Sequence, residues 1–299
     1  MSITATDALD LPGARFSELP ASATVHALGV PYVHVHTGDG DDLYLTQHGW
    51  PWLRELLPEN WFANRYFKHA GRRLRFSSGT VYRVPITAPR RLEVVVKFSR
   101  VGQHLDRAHL AQFPRRTLQS QGGFASPFEE IGNLERLRNN RLPPRILTKR
   151  ALAVFSPSRR YKDWQLGRIP HVFEEHARKL VSESAGQNIV LDPLRDYIVV
   201  FQWMNGLNLE ECFEQGILDS TTVEAISNRA VHDLQAKGFA VLDHKPNHVI
   251  VSVNRAGAVL QRRGRVVYGL ADFELLVNVC DDSQLLDTHP NPAVLPLPD

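Results

Sequence analysis

The chain has 299 residues, 43% of them hydrophobic and 22% charged, which excludes a mainly disordered polymer and allows one large domain or two ordinary ones. Its longest uncharged apolar run, Tyr197–Met204, is far too short to span a bilayer. The net charge of +3 conceals an asymmetry: residues 1–62 are acidic, 63–180 strongly basic, and the remainder acidic again. A basic segment of this kind is either a solvated face or a surface for polyanions such as nucleotide phosphates, nucleic acid or another acidic partner. Met1–Asp10 has neither a basic head nor an apolar stretch, so no signal peptide is expected. Cys212 and Cys280 make neither a disulfide framework nor a zinc spacing, and a cytoplasmic setting is the expectation.

Residues 1–65 read as an acidic extension. Val33–His36 alternates like a strand, Thr37–Asp42 is a turn cluster, and Leu43–Leu45 alternates again, which predicts a hairpin. His34 and His36 share one strand face, a spacing that suits a metal, but no third ligand stands nearby and an ordinary strand face is expected. Asp39, Asp41 and Asp42 begin like a calcium loop without its later ligands and read as a turn. Pro51–Leu57 predicts a short amphipathic helix.

Strands follow at Leu74–Phe76, Val81–Ile86 and Leu92–Phe98, the first two flanking Ser77-Ser-Gly79. Ser126-Pro-Phe-Glu129 marks a helix start: a cap, a proline at the first helical position and a capping box, with the helix running to about Arg138. Arg145–Phe155 predicts a strand, Ile169–Glu183 an inserted helix, and Asp196–Trp203 the most apolar strand. Thr221-Thr-Val-Glu224 is a second capping box, followed by apolar positions Val223, Ile226, Ala230 and Leu234 and a stop at Gly238. Strands Val249–Val253 and Arg265–Leu270 follow, and the end is proline-rich.

Three stretches carry residue types that phosphoryl transfer needs. Leu242–Ile250 places a carboxylate, a lysine and imidazoles in one loop between a helix and a strand. Asp272 follows the strand ending at Leu270, where a carboxylate is a natural magnesium ligand. Lys97 lies inside an otherwise apolar strand, where a charge costs several kcal/mol unless it is paired.

On these residues the chain resembles the protein kinase-like superfamily over roughly residues 70–275. Asp243-His-Lys245-Pro246-Asn-His248 resembles the D-x-K-P-x-N catalytic loop, and Val94-Val-Val-Lys97 resembles the V-A-I-K strand. The resemblance implies Asp243 and Lys245 as catalytic residues and Lys97 as the ligand of the α- and β-phosphates. Glu130 becomes the ion-pair partner of Lys97, in competition with Glu129 and Glu135. Gly79 and Val84 are counted with the nucleotide-binding residues, as are Phe201 at the gatekeeper position and the hinge residues Gln202 and Met204. Asp272-Phe-Glu274 resembles the D-F-G segment, so Asp272, His248 and Glu274 form the metal set, with ATP and Mg²⁺ or Mn²⁺ as the implied ligands.

The implied fold is α+β: a bilobal protein kinase-like fold with a five-stranded antiparallel sheet in its N-lobe (66–206, with the inserted helix near 170–183) and a reduced, mostly helical C-lobe (207–299). Several positions depart from the family pattern. His248 replaces a metal-binding asparagine and favours manganese over magnesium. Leu74 and Phe76 stand where two loop glycines would be. Glu274 replaces a glycine, either adding a carboxylate or removing backbone freedom. Few residues follow Asp272, so a full peptide-docking platform is not expected. The leading expectation is an ATP-dependent phosphotransferase acting on a Ser/Thr-type hydroxyl of a protein or small-molecule acceptor. The alternatives are a pseudokinase scaffold, a basic nucleic-acid-binding module, and transfer of AMP rather than phosphate.

Overall fold

The computed structural model describes residues 3–9, 14–74, 79–105, 123–141, 143–182 and 189–278. The proline-rich end, the Arg75–Ser78 part of the expected glycine-like loop and Cys280 therefore lie outside the described residues. No described helix is long and apolar enough to cross a membrane. The described chain forms two compact units: residues up to 105 with 123–132 and 150–203, and residues 133–149 with those from 204 onward.

The helices are α1 (Ala5–Leu9), α2 (Leu53–Leu56), α3 (Tyr66–His69), α4 (Pro127–Asn139), α5 (Asp163–Leu166), α6 (Pro170–Ser182), α7 (Leu209–Glu214) and α8 (Ser220–Gln235). The first unit is built on one sheet of nine strands: β1 (Ile3–Thr4), β2 (Thr24–Ala27), β3 (Val30–His36), β4 (Asp42–Leu45), β5 (Arg72–Arg73), β6 (Val81–Ile86), β7 (Leu92–Phe98), β9 (Ala151–Ser156) and β10 (Ile198–Gln202). Its order is β1-β3-β4-β9-β10-β7-β6-β5, with β2 on β3.

The five-stranded sheet expected from the resemblance is thus corrected to nine. The run β5, β6, β7, β10 and β9 is antiparallel throughout, but it does not end at β9. Every residue of β9 is buried, and an uncovered edge there would expose a row of backbone donors and acceptors. The hairpin β3–β4 covers that edge, with Leu43 opposite Phe155 and Leu45 opposite Ala153. The Thr46 hydroxyl extends the join by donating to the Ala151 carbonyl at 2.7 Å. Gly49 then passes so close to β9 that a Cβ there would lie 1.9 Å from the Leu152 carbonyl oxygen. The acidic preface is therefore part of the sheet.

Cross-strand partners share a face, so the register sorts the side chains. One face, with Val84, Val94, Val96, Ile198, Val200 and Phe155, packs against Trp61, Leu56 and Phe67 as the main core. The other face presents Val81, Val95, Lys97, Val199, Phe201, Val154, Tyr44 and His34 in continuous register across six strands. The start of α4 packs on this second face, with Phe128 edge-on to Tyr32 and Tyr44 at ring separations of 5.4 and 5.3 Å.

In the second unit, β8 (Leu147–Thr148), β11 (Leu207–Asn208), β13 (Val249–Val251) and β16 (Tyr268–Leu270) form a sheet in the order β11-β13-β16-β8. Two ribbons accompany it, β12 (Phe239–Val241) with β17 (Leu276–Asn278) and β14 (Gln261–Arg262) with β15 (Arg265–Val266). The mostly helical second part expected from the resemblance is therefore mixed among the described residues, with α7 and α8 beside three small sheets. The single strand expected over 145–155 is two strands, because β8 pairs in parallel with β16 while β9 joins the first sheet.

Helix α8 buries Val223, Ile226, Ala230 and Leu234, the expected apolar positions. It starts one residue before Thr221, and its cap is Asp219, whose carboxylate accepts from the Thr222 amide at 2.7 Å. The expected capping box at Thr221 is displaced because a carboxylate two residues upstream caps better.

Candidate active site

Lys97 sits in β7 and is 5% exposed. Its face neighbours Val81, Val95 and Val199 offer no charge, so burial without a partner would cost several kcal/mol. Glu130 supplies one, with Oε1 at 3.1 Å from the Lys97 Nζ and both side chains buried.

The helix phase decides which of three acids reaches Lys97, since each residue turns about 100° around the axis. Glu129 turns toward α6 instead. Its Oε2 accepts from the Ser126 amide at 2.8 Å and lies 2.7 Å from His176 Nδ1, and its Oε1 is 3.1 Å from Lys179 Nζ. Ser126 returns the cap by accepting from the Glu129 amide at 3.2 Å, closing the expected capping box. Burial alone would raise the Glu129 carboxyl, but the hydrogen bond and charge of His176, the charge of Lys179 and the Ser126 amide together hold it down at about 2. Glu135 lies 3.8 Å from Arg138 on its own helix. The contact of α6 with Glu129 fastens the start of α4 and is not announced by the family motifs. Two basic residues three apart, His176 and Lys179 on a predicted helix, were the available hint.

Phe201 shares the Lys97 face, opposite Val95, and is fully buried. The Gln202 amide donates to the Arg150 carbonyl at 2.8 Å, so that N–H is spent within the first unit. Gly79 is half-buried beside Arg100. Val84 is on the opposite face from Lys97, in the main core. The β6 valine on the Lys97 face is Val81, paired directly with Lys97 and two residues beyond Gly79. Strand alternation counted back from Lys97 across the hairpin would have found it.

In the second unit, two ladders hold the catalytic-type loop against the Asp272 turn. Val241 at the loop's start pairs with Leu276, and Val249 at its end pairs with Leu270. The Leu242 amide donates to Leu275 and the Ala271 amide to His248, tightening both ends. His248 Nε2 consequently lies 3.8 Å from Asp272 Oδ2, both partly buried. Asp272 Oδ1 accepts from the Glu274 amide at 3.3 Å, and the Glu274 side chain is buried in the same turn. Donors around one divalent ion at about 2.1 Å each stand about 3 Å apart. The His248–Asp272 separation is about 0.8 Å wider than that, so the two atoms would have to close by this amount to share an ion.

Asp243 and Lys245 are half-buried in the loop. His244 between them is turned inward, with Nε2 2.9 Å from the Ser227 hydroxyl of α8. Burial first, and the nearby His248 charge second, push this imidazole down to about 4. His244 therefore anchors the loop as a neutral group. Met204 also belongs to this unit, and its Sδ lies 2.7 Å from where a Cβ on Gly269 would be.

No family model and no curated protein matches the chain. Among solved structures, it resembles WbdD in a co-crystal with the kinase inhibitor LY294002, at 16% identity over 64% of this chain and a TM-score of 0.29. It also resembles Rad53 residues 1–466 in complex with AMP-PNP, at 10% identity over 82% of this chain and a TM-score of 0.28. The match spans 32% of the first of these chains and 61% of the second. At such scores neither likeness establishes the fold.

Proposed function

We propose that the chain is an ATP-dependent phosphotransferase of protein kinase-like fold that acts on a Ser/Thr-type hydroxyl. The observation that carries this reading is the buried Lys97–Glu130 pair at 3.1 Å, a cation fixed in a sheet by a helix carboxylate. A structural ion pair in that position is weak as a source of stability, because desolvation offsets most of the attraction. Its use is to hold an ammonium ready for phosphate oxygens.

In this reading Lys97 binds the α- and β-phosphates, while Val81 and Phe201 line the purine side from the same sheet face. Asp243 orients the acceptor hydroxyl and takes its proton, and Lys245, two residues on, meets the transferred phosphoryl group. A divalent ion, when bound, neutralises charge on the phosphates, and Asp272 Oδ2 and His248 Nε2 are the donors that would hold it. Nitrogen in that pair favours manganese at least as well as magnesium.

One feature supports a second reading, a nucleotide-binding scaffold without transfer. Leu74, at a position where a loop glycine is expected, has its amide bound to the Val81 carbonyl at 2.9 Å, which closes the strand there rather than opening amides toward phosphate.

Labelled ATP with Mg²⁺ or Mn²⁺ and the full chain separates these readings. ATP with metal should raise the melting temperature by mass action, Lys97→Ala should abolish most of the shift, and label should reach the protein or a generic acceptor. Asp243→Asn should lower transfer by roughly a hundredfold with binding nearly intact. A shift without transfer favours the scaffold, and no shift under any metal overturns both.

A further inference from the structure

We propose that His34, His36 and Asp42 form a transition-metal site, best matched to zinc, on the outer strands of the first sheet. The hairpin supplies the third ligand that the linear sequence does not show. Register places Asp42 directly opposite His36 and Tyr44 opposite His34, so the carboxylate lies on the same face as both imidazoles. His34 Nε2 is hydrogen-bonded to Asp42 Oδ1 at 2.8 Å and His36 Nδ1 lies 2.9 Å from the same oxygen, contacts that a bound ion would replace. All three donor atoms lie within 4.8 Å of one another.

The surroundings prepare these atoms for an ion. Arg195 Nη1 holds the second Asp42 oxygen at 2.5 Å, so the carboxylate presents Oδ1 alone, as a monodentate ligand does. The His34 ring is stacked on Tyr44 at 4.2 Å and 14°, which fixes its plane. His36 is the half-exposed member, with a side chain 45% accessible beside the Thr37–Gly40 turn. Zinc with nitrogen and oxygen ligands at about 2.0–2.1 Å separates tetrahedral donors by about 3.3 Å. The cluster therefore has to open by about half an ångström at both Asp42 contacts, which takes a rotation of the Asp42 carboxylate as well as a shift of the half-exposed His36.

Two imidazoles and one carboxylate fill three positions and leave a fourth open toward solvent on the His36 side. That set suits zinc, or cobalt as its probe, over magnesium or calcium, which prefer oxygen alone. The adjacent guanidinium repels a cation and sets the affinity below that of a closed structural site.

Chelator-treated full-length protein titrated calorimetrically with zinc chloride alone tests the site. The Asp272→Asn background removes the carboxylate of the second unit's proposed metal pair, so that binding there is not mistaken for binding here. One zinc ion per chain should still bind in that background, and Co²⁺ should give the visible spectrum of a four-coordinate nitrogen–oxygen site. Adding His36→Ala, a change at a half-exposed position that leaves the core untouched, should weaken zinc at least tenfold and erase that spectrum. Equal zinc affinity with and without His36, or no zinc uptake at neutral pH, overturns the proposal. The ATP-induced melting shift of the single His36→Ala variant should equal that of wild type, so failure of this site and failure of the phosphotransfer reading are read separately.

Discussion

His244 lies one residue from Asp243, yet its chemistry is the reverse of catalytic availability. It is buried against Ser227 and held near 4, while the same group in an unfolded chain titrates at about 6.5. Above the unfolded value both states are neutral and the difference contributes nothing adverse. As pH falls below it, the unfolded chain takes up a proton that the folded chain refuses, so stability declines until about pH 4. The full span is worth roughly 3 kcal/mol at this order of precision. His244→Gln keeps a polar contact to Ser227 without the proton. Urea unfolding at several values between pH 7.5 and 4.5 should show a shallower acid decline in this variant than in wild type. Equal slopes in both proteins would remove His244 as the source. Glu129 acts lower on the scale: its stabilising effect persists through this range and is lost only as pH falls from about 4.5 toward about 2.

Helix α4 shows which parts of the fold and candidate site could be read in the sequence. Ser126, Pro127 and Glu129 are strong local signals, and the helix starts at Pro127 with the reciprocal Ser126–Glu129 bonds in place. Lys97 was conspicuous because a charge in a β-branched strand demands compensation. Local chemistry of this kind survives without knowledge of the tertiary structure. Valines stand at both 81 and 84, and only the pairing of Val81 with Lys97 shows which of them shares the lysine's face. The widening of the sheet rests on Thr46 meeting Ala151, residues 105 apart in the chain, which no local pattern announces. Asp42 joined the two histidines for the same reason, since its register is set by the turn. At α8 the competition was between two caps, and Asp219 won over Thr221. Asp219→Ala should therefore lower the midpoint of chemical denaturation, as loss of a helix cap does. Thr221→Ala should cost close to nothing, and the opposite ranking would restore the Thr221 cap.

At the scale of the whole molecule, the proposed reaction draws its residues from both compact units. Lys97 and Glu130 belong to the first, and Asp243, His248 and Asp272 to the second. That proposal makes a thermodynamic demand that separate polyanion binding on the basic segment does not. In the proposed reading Lys97 would hold the α- and β-phosphates and an ion held by Asp272 the same phosphate chain, so each would keep that chain in the position the other needs. Removing either should weaken Mn²⁺–ATP binding, and removing the second after the first should cost less than it does alone. Calorimetry on wild type, Lys97→Ala, Asp272→Asn and the double variant measures this directly. The two losses should fail to add by at least about 0.5 kcal/mol, the range expected for groups that share a bound partner. Losses that add within about 0.3 kcal/mol would mean that the two positions do not share one ligand. The basic segment gives the competing account its own signature: binding there should fall steeply with salt and be nearly blind to Asp272→Asn.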